Sequence, residues 1–388
     1  MSEPKTVNFV GAELRRLRGI RKLGELASQA REVHAVRIGS AELDEIRLRH
    51  FEVGSLTPST EECFTLSLLH RLSLHEMLDL LVVQQIVDKA NLGARLEQLS
   101  SVHNQAWRDG DWETALAAAA SGEALAERPS DWAAWRTQRA VSMGMLGMGR
   151  TALLILMDLS EHHSVEPDQR YQVFRYLADQ QVNAGHFSLA AQSAQLAVEH
   201  APHDLAPEWR WGLIHTQVRL FLLKAEQALE VDDEEIHEAL FLIRDARRLI
   251  TSEDSQKWLA LDFMEAAAQE LLGEQPVSEY ERIARDARSC GHRHVEALAW
   301  KNLGVIHRRA GDIELAREPL LLARSLAREG HALDELFDVT FELYLLFEER
   351  GLELESEQYL AECHLHYQQV HSCTPNLLAY EALLRAAS

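Results

Sequence analysis

One recurring turn constrains this chain more than any other feature. A glycine followed five residues later by alanine stands at Gly110 and Ala115, Gly147 and Ala152, Gly185 and Ala190, and Gly311 and Ala316. Gly351 with Ser356 is a weaker copy, and Gly273 before Val277 and Ser278 a degenerate one. These glycines lie 37, 38, 88, 38 and 40 residues apart, and 88 spans two repeats with an unmarked turn near Leu229 to Asp233. The clearest copy runs from Ala297 to Gly330. There Trp300 and Leu303 are bulky enough to fill the space between two antiparallel helices, Gly304 and Ala316 let the backbones approach, and Gly311 takes the turn. Phe174, Leu177, Ala178, Gly185, Phe187, Ala190, Ala197 and Pro202 repeat that layout. A single hairpin cannot bury its own apolar face, so the spacing demands stacked copies.

The pattern Trp300-x2-Leu303-Gly304-x2-His307, then Gly311-x4-Ala316, Leu320 and Ala323, resembles the tetratricopeptide (TPR) repeat. The resemblance covers most of 96–388 and implies an α-solenoid of about seven helical hairpins, with a repeat longer than the roughly 34 residues of the consensus. Such solenoids present their inner helices along a groove to an extended peptide or a partner helix. Counting outward from Phe174 and Trp300 places Arg175, Tyr176 and Asp179 in the groove from one repeat, and Lys301, Asn302 and Arg308 from another. Asn302 is the sharpest of these, because an amide both donates to and accepts from a peptide backbone.

The first 82 residues follow a different rule. Val10, Leu14, Leu17 and Ile20 recur at helical spacing, with Arg15, Arg16, Arg18 and Arg21 on the other face. Leu23 to Ala30 is helix-permissive, and Arg31 to Gly39 loses periodicity as a loop would. A helix restarts over Ser40 to Phe51, with Ser40 as N-cap and Leu43, Ile46 and Phe51 directed inward. Thr57-Pro58 opens the next helix, and the Ser73-x-x-Glu76 capping box opens a fifth over Leu74 to Leu81. Gln84 to Leu99 reads as a helical bridge, so the chain divides into 1–82, a connector at 83–95, and 96–388.

Phe51, Glu52, Gly54, Pro58, Ser59, Leu66, Leu69, Leu72, Leu74 and Leu78 resemble the second half of the lambda-repressor/Cro-type (XRE) helix-turn-helix domain. Val10, Gly11, Leu14, Arg15, Leu17, Arg18, Leu26 and Ala27 match its first half. The resemblance implies a double-stranded DNA partner, with the third helix in the major groove. Its base-contact positions would be Ser40, Arg47, Arg49 and His50, and an arginine there can address a guanine edge bidentately. Arg15, Arg16, Arg18 and Arg37 would neutralise phosphates.

Charge agrees with that division of labour. The chain of 388 residues carries a formal charge of −22, yet residues 1 to 80 hold 11 Lys or Arg against 12 Asp or Glu, and the remainder 28 against 49. A nearly neutral head with a basic first half thus precedes an acidic body. Four cysteines without a paired spacing fit reduced thiols, no leader opens the sequence, and no apolar run reaches membrane-spanning length, so a cytoplasmic protein with no membrane contact is expected. No phosphate loop, nucleophile elbow or HExxH occurs, which argues against an enzyme. Cys290, His292 and His294, and Cys363, His364, His366, His371 and Cys373, are metal-ligand types without zinc-site spacing, and no metal or cofactor is expected. A small head on a TPR body resembles the bacterial quorum-sensing regulators, which implies an all-α, ligand- or partner-responsive transcription regulator, dimeric because one head reads few base pairs. The alternative is an interaction scaffold whose head no longer reads DNA.

Overall fold

The computed structural model describes residues 7–37, 40–92, 95–202, 205–227, 232–251, 255–330, 332–367, 370 and 373–387. Their regular structure consists of twenty α-helices, and contacts divide them into two compact units, Met1–Ala106 with Glu113–Ser142, and Trp107–Trp112 with Met143–Ser388. The fold is a helical head followed by a TPR-like solenoid.

The first unit contains α1 (Phe9–Arg18), α2 (Leu23–Val36), α3 (Glu45–Val53), α4 (Thr60–His70) and α5 (Leu74–Ala90), and most of α6 (Leu96–Asp109), α7 (Trp112–Leu125) and α8 (Pro129–Met145). Helix α1 packs on α3 and α5, α2 on α3 and α4, and α4 on α5. Phe9, Leu14, Leu26, Leu43, Phe51, Leu66 and Met77 fill the space between them. Two contacts seat α1 on the end of α3. The Asn8 side chain caps α1 by accepting from Gly11 N at 2.9 Å while donating to Glu52 O at 3.0 Å, and a Cβ on Gly11 would overlap that same carbonyl.

Several helix limits differ from the sequence expectation. Helix α2 continues to Val36, because nothing between Ala30 and Val36 breaks a helix even where apolar periodicity fades; Gly39, in the expected loop, lies outside the described residues. Helix α3 starts at Glu45, and its N-cap is Asp44, which accepts from Arg47 N. Ser40 lies upstream with its hydroxyl donating to Arg37 O at 2.7 Å, and the neighbouring Ala41 is pinned to Thr65 of α4 in both directions, at 2.7 and 3.0 Å. Ile46 is 67% exposed, and Ile20 lies beyond the end of α1, fully exposed. Ser59, rather than Thr57, caps α4, in a capping box with Glu62. The Ser73 and Glu76 box is present, and α5 runs on through the expected bridge to Asn91, whose left-handed conformation stops it.

The second unit contains α9 (Gly149–Glu161), α10 (Pro167–Asn183), α11 (Phe187–His200), α12 (Pro207–Gln227), α13 (Asp233–Arg247), α14 (Ser255–Leu271), α15 (Val277–Cys290), α16 (Arg293–Arg309), α17 (Ile313–Glu329), α18 (Leu333–Glu348), α19 (Glu353–Tyr367) and α20 (Pro375–Ala387). Sequence neighbours pack as pairs from α9 and α10 through to α18 and α19, and alternate helices also touch, α10 with α12, α12 with α14, α14 with α16 and α16 with α18. That second set of contacts is what stacks one hairpin on the next. All six marker glycines, Gly110, Gly147, Gly185, Gly273, Gly311 and Gly351, sit at positive φ between 68° and 85°, where a side chain would strain the turn. The unmarked turn follows Gln227, and its residues 228–231 lie outside the described residues.

The packing read from Ala297 to Gly330 holds. A Cβ on Gly304 would sit 2.5 Å from Leu320 Cγ and 3.2 Å from Ala316 O, so only glycine allows this approach of α16 and α17. Trp300 packs against the core on both sides of α16. Pro319 lies inside α17 and is buried.

Candidate functional site

In the first unit α3 is held by Leu48, Phe51 and Glu52, which leaves Arg47, Arg49 and His50 on its exposed face. Arg47 pairs with the buried carboxylate of Glu62 and lies over the Phe51 ring at 5.7 Å. Arg49 makes a one-turn pair with Glu45 at 3.3 Å between two exposed side chains, an interaction solvent makes weak. The His50 imidazole meets the Ser55 hydroxyl at 2.6 Å. Ser40 is buried and bonded as above, away from the start of α3. Glu42, Asp44 and Glu45 are exposed near the same end.

The expected phosphate contacts divide. Arg15 donates to Glu52 O, and Arg18 grips the Glu52 carboxylate through two nitrogens at 2.6 and 3.1 Å. Arg16 pairs with Glu13 at 2.8 Å and lies over the Trp132 ring at 5.7 Å. Arg37 is exposed at the end of α2. Three of the four guanidiniums therefore hold α1 to its surroundings, and among the described residues Arg37 alone of them makes no side-chain pair.

Below α1 lies a buried network that sequence reading did not find. Arg136 bridges Glu13 at 3.0 Å and Glu123 at 2.8 Å, and Arg139 reaches Glu123 at 2.5 Å while its guanidinium covers the Phe9 ring at 5.0 Å. All four side chains are buried. Burial works to raise the Glu13 carboxyl, but the guanidiniums of Arg136 and Arg16 outweigh it and hold the group well below the usual carboxylate range. The partners are up to 123 residues apart in sequence, so no local spacing announces them.

In the second unit the expected groove residues fall into two clusters. On α16 and α18, Lys301 faces Asp338 at 3.6 Å, Asn302 donates to Tyr280 Oη at 2.9 Å, and Arg308 donates to Glu342 at 2.9 Å and also reaches Glu349. Thr374 donates to Asp338 at 2.6 Å and Asn376 to Glu342 at 3.1 Å, which ties the start of α20 to the same acids. Burial, with Glu226 and Asp334 nearby, outweighs Lys301 and Thr374 and pushes the Asp338 carboxyl up to about 7.

The other cluster joins α10 and α12. Asp179 pairs with Arg219 at 3.2 Å, and Arg219 also donates to the Asn183 side chain at 2.7 Å. Arg175 is buried, with its guanidinium 4.0 Å from the Tyr176 ring. The Trp211 and His215 rings, one turn apart on α12, lie 4.8 Å apart and tilted by 31°. Burial and the cations Arg219 and Arg175 hold the His215 imidazole far below its ordinary range.

Among the described residues no group of three or more His, Cys, Asp or Glu is arranged to hold a metal ion; His371 lies outside them. Cys363 is buried, and burial pushes its thiol up to about 12. No helix among the described residues is long and apolar enough to cross a membrane.

Two solved structures resemble the chain. One is Bacillus thuringiensis PlcR in complex with the peptide PapR7 and DNA, at 12% identity and a TM-score of 0.34, covering 80% of this chain and 100% of that one. The other is the apo form of RapI, at 10% identity and a TM-score of 0.40, covering 71% of this chain and 77% of that one. No family model and no curated protein matches the sequence.

Proposed function

We propose that the chain is a cytoplasmic, non-catalytic transcription regulator that reads double-stranded DNA through α3 as a homodimer, with a peptide or protein ligand received by the solenoid. The observation that carries this reading is the exposed face of α3, where Arg47, Arg49 and His50 stand together on a short helix closed by the left-handed Gly54. Long cationic side chains on one face of such a helix suit base edges in a major groove. Arg37 adds an exposed cation at the end of α2 suited to a phosphate.

The test is selection of fragmented genomic DNA by the full chain at about 50 and 200 mM salt, beside the double variant Arg47→Ala/Arg49→Ala. An enriched motif, a steep loss with salt, and a drop of about tenfold or more in the variant are expected. Retention that is indifferent to sequence and substitution would sink the reading. A second reading, an interaction scaffold, is favoured by the engagement of Arg15, Arg16 and Arg18 with Glu52 and Glu13 and by the exposed acids before α3.

A further inference from the structure

Helix α19 turns a stripe of its surface outward. Leu354, Gln358, Ala361 and Leu365 recur at spacings of four, three and four residues, the rhythm that keeps one edge of a helix in line. All four are exposed, Leu354 by 81% and Leu365 by 73%. The opposite edge is the one that holds α19 to the solenoid. Ser356 and Cys363 are buried there, and Cys363 belongs to the cluster of Phe337, Phe341 and Tyr380. A helix at a protein surface ordinarily gives polar residues to solvent, so leucines at both ends of such a seam call for a covering surface.

Shape and charge say what covers it. Beside the C-terminal end of the stripe a recess of about 550 Å³ opens between α17, α18 and α19, with Leu333, Leu336, Ala361 and Leu365 as its apolar lining and Arg328 among them. The N-terminal end instead offers a projecting leucine, Leu354. Charge follows the same division. Glu353, Glu355 and Glu357 are exposed along the first half, whereas in the second half Arg324 and Arg328 share the single carboxylate of Glu362, and the Arg328 side chain is 58% exposed. One end is acidic with a protruding leucine, and the other is cationic with an apolar hollow. A second copy of the same helix, turned end for end, satisfies both ends at once.

We propose that this stripe is the two-fold contact of a homodimer, with α19 of one copy antiparallel to α19 of the other. Leu354 of each copy enters the other's recess beside the partner's Leu365. Ala361 lies across from the partner's Gln358, and its small side chain lets the helices approach. Glu355 reaches the partner's Arg328. The contact rests on the homodimer of the proposed function and is independent of DNA reading. A seam of four positions is smaller than a standard interface, so the pairing is weak, with a Kd of about 1–100 µM.

The experiment is sedimentation equilibrium of the full chain from about 1 to about 200 µM. Expected are a monomer–dimer equilibrium and a Kd at least about tenfold higher for Leu354→Glu and for Leu365→Glu, because a two-fold contact loses each leucine twice. Both side chains are exposed in the single chain, so melting points at the dilute end should match the parent; a fall there would make the leucines part of the fold and overturn the contact. Glu355→Arg should weaken the pairing and Glu355→Arg/Arg328→Glu should restore it. Absence of that recovery would overturn the antiparallel arrangement.

A parent dimer undiminished in both leucine variants would overturn the α19 contact and leave a homodimer built through another surface. A parent that stays monomeric throughout would give the stripe to a different occupant and overturn the contact and the homodimer together, while the motif selection would still decide DNA reading.

Discussion

Asp338 titrates where cells live. Its folded pKa of about 7 lies above the value of about 3.9 for an unfolded aspartate, so the folded chain keeps the proton that the unfolded chain releases. Its contribution to stability is therefore largest at low pH, declines as pH climbs from about 4 to about 7, and is flat above that. Burial raises it above all, Glu226 and Asp334 add to the rise, and Lys301 and Thr374 work against it. Between pH 8 and pH 6 the native chain should gain about 1.4 kcal/mol relative to Asp338→Asn, seen as about 2 °C in the difference of their melting points. A constant difference across that range would refute the assignment. Asp338 itself was not legible in the sequence, although its partner Lys301 was, because periodicity shows which face a residue occupies and says nothing of which acids gather there from other helices. Likewise Asn302 was read as a free amide for a peptide backbone, and Tyr280 from α15 already occupies it.

At the scale of helices, what could be read was what is local. The marker glycines and the box of Ser73 and Glu76 depend on residues a few positions apart, the approach at Gly304 on the adjoining helix of one hairpin, and each stands in the structure as expected. The start of α3 was misplaced because Ser40 and Asp44 are both good caps, and the choice falls to the segment between them, where Leu43 is fully buried and Ala41 is bonded to Thr65 of α4. The arginines of α1 looked like a solvated cationic face for the same reason: their partners arrive from α3 and α8. The buried network of Glu13, Glu123, Arg136 and Arg139 gives that helix its anchorage. Removing Arg136 breaks the bridge between two buried carboxylates and leaves Glu13 to Arg16 and Glu123 to Arg139, so Arg136→Ala should lower stability by about 3 kcal/mol in urea denaturation. A change under about 1 kcal/mol would show that Arg16 and Arg139 suffice for those acids.

Over the whole molecule, repeat proteins are expected to end in a capping element. In the second unit α20 covers the aromatic face of α18. Tyr380 is fully buried, with its ring 5.5 Å from Phe337 and 6.0 Å from Phe341. Ending the chain before Pro375 should expose this aromatic face, lower the melting point by at least about 5 °C and promote self-association, measured by calorimetry and light scattering. An unchanged melting point would leave α20 as an ornament. Two contacts alter how the second unit must behave as a body: Cys373 N donates to Asn183 O at 2.6 Å, and His292 Nδ1 lies 3.3 Å from Arg108 O, 184 residues away. An ordinary string of repeats touches only its neighbours, so it can lengthen by duplication and melt from its tips. Here early and late links are buttoned to each other like a bracelet, so adding or dropping a link would leave the clasp unable to meet, and evolution is held to a fixed number of links.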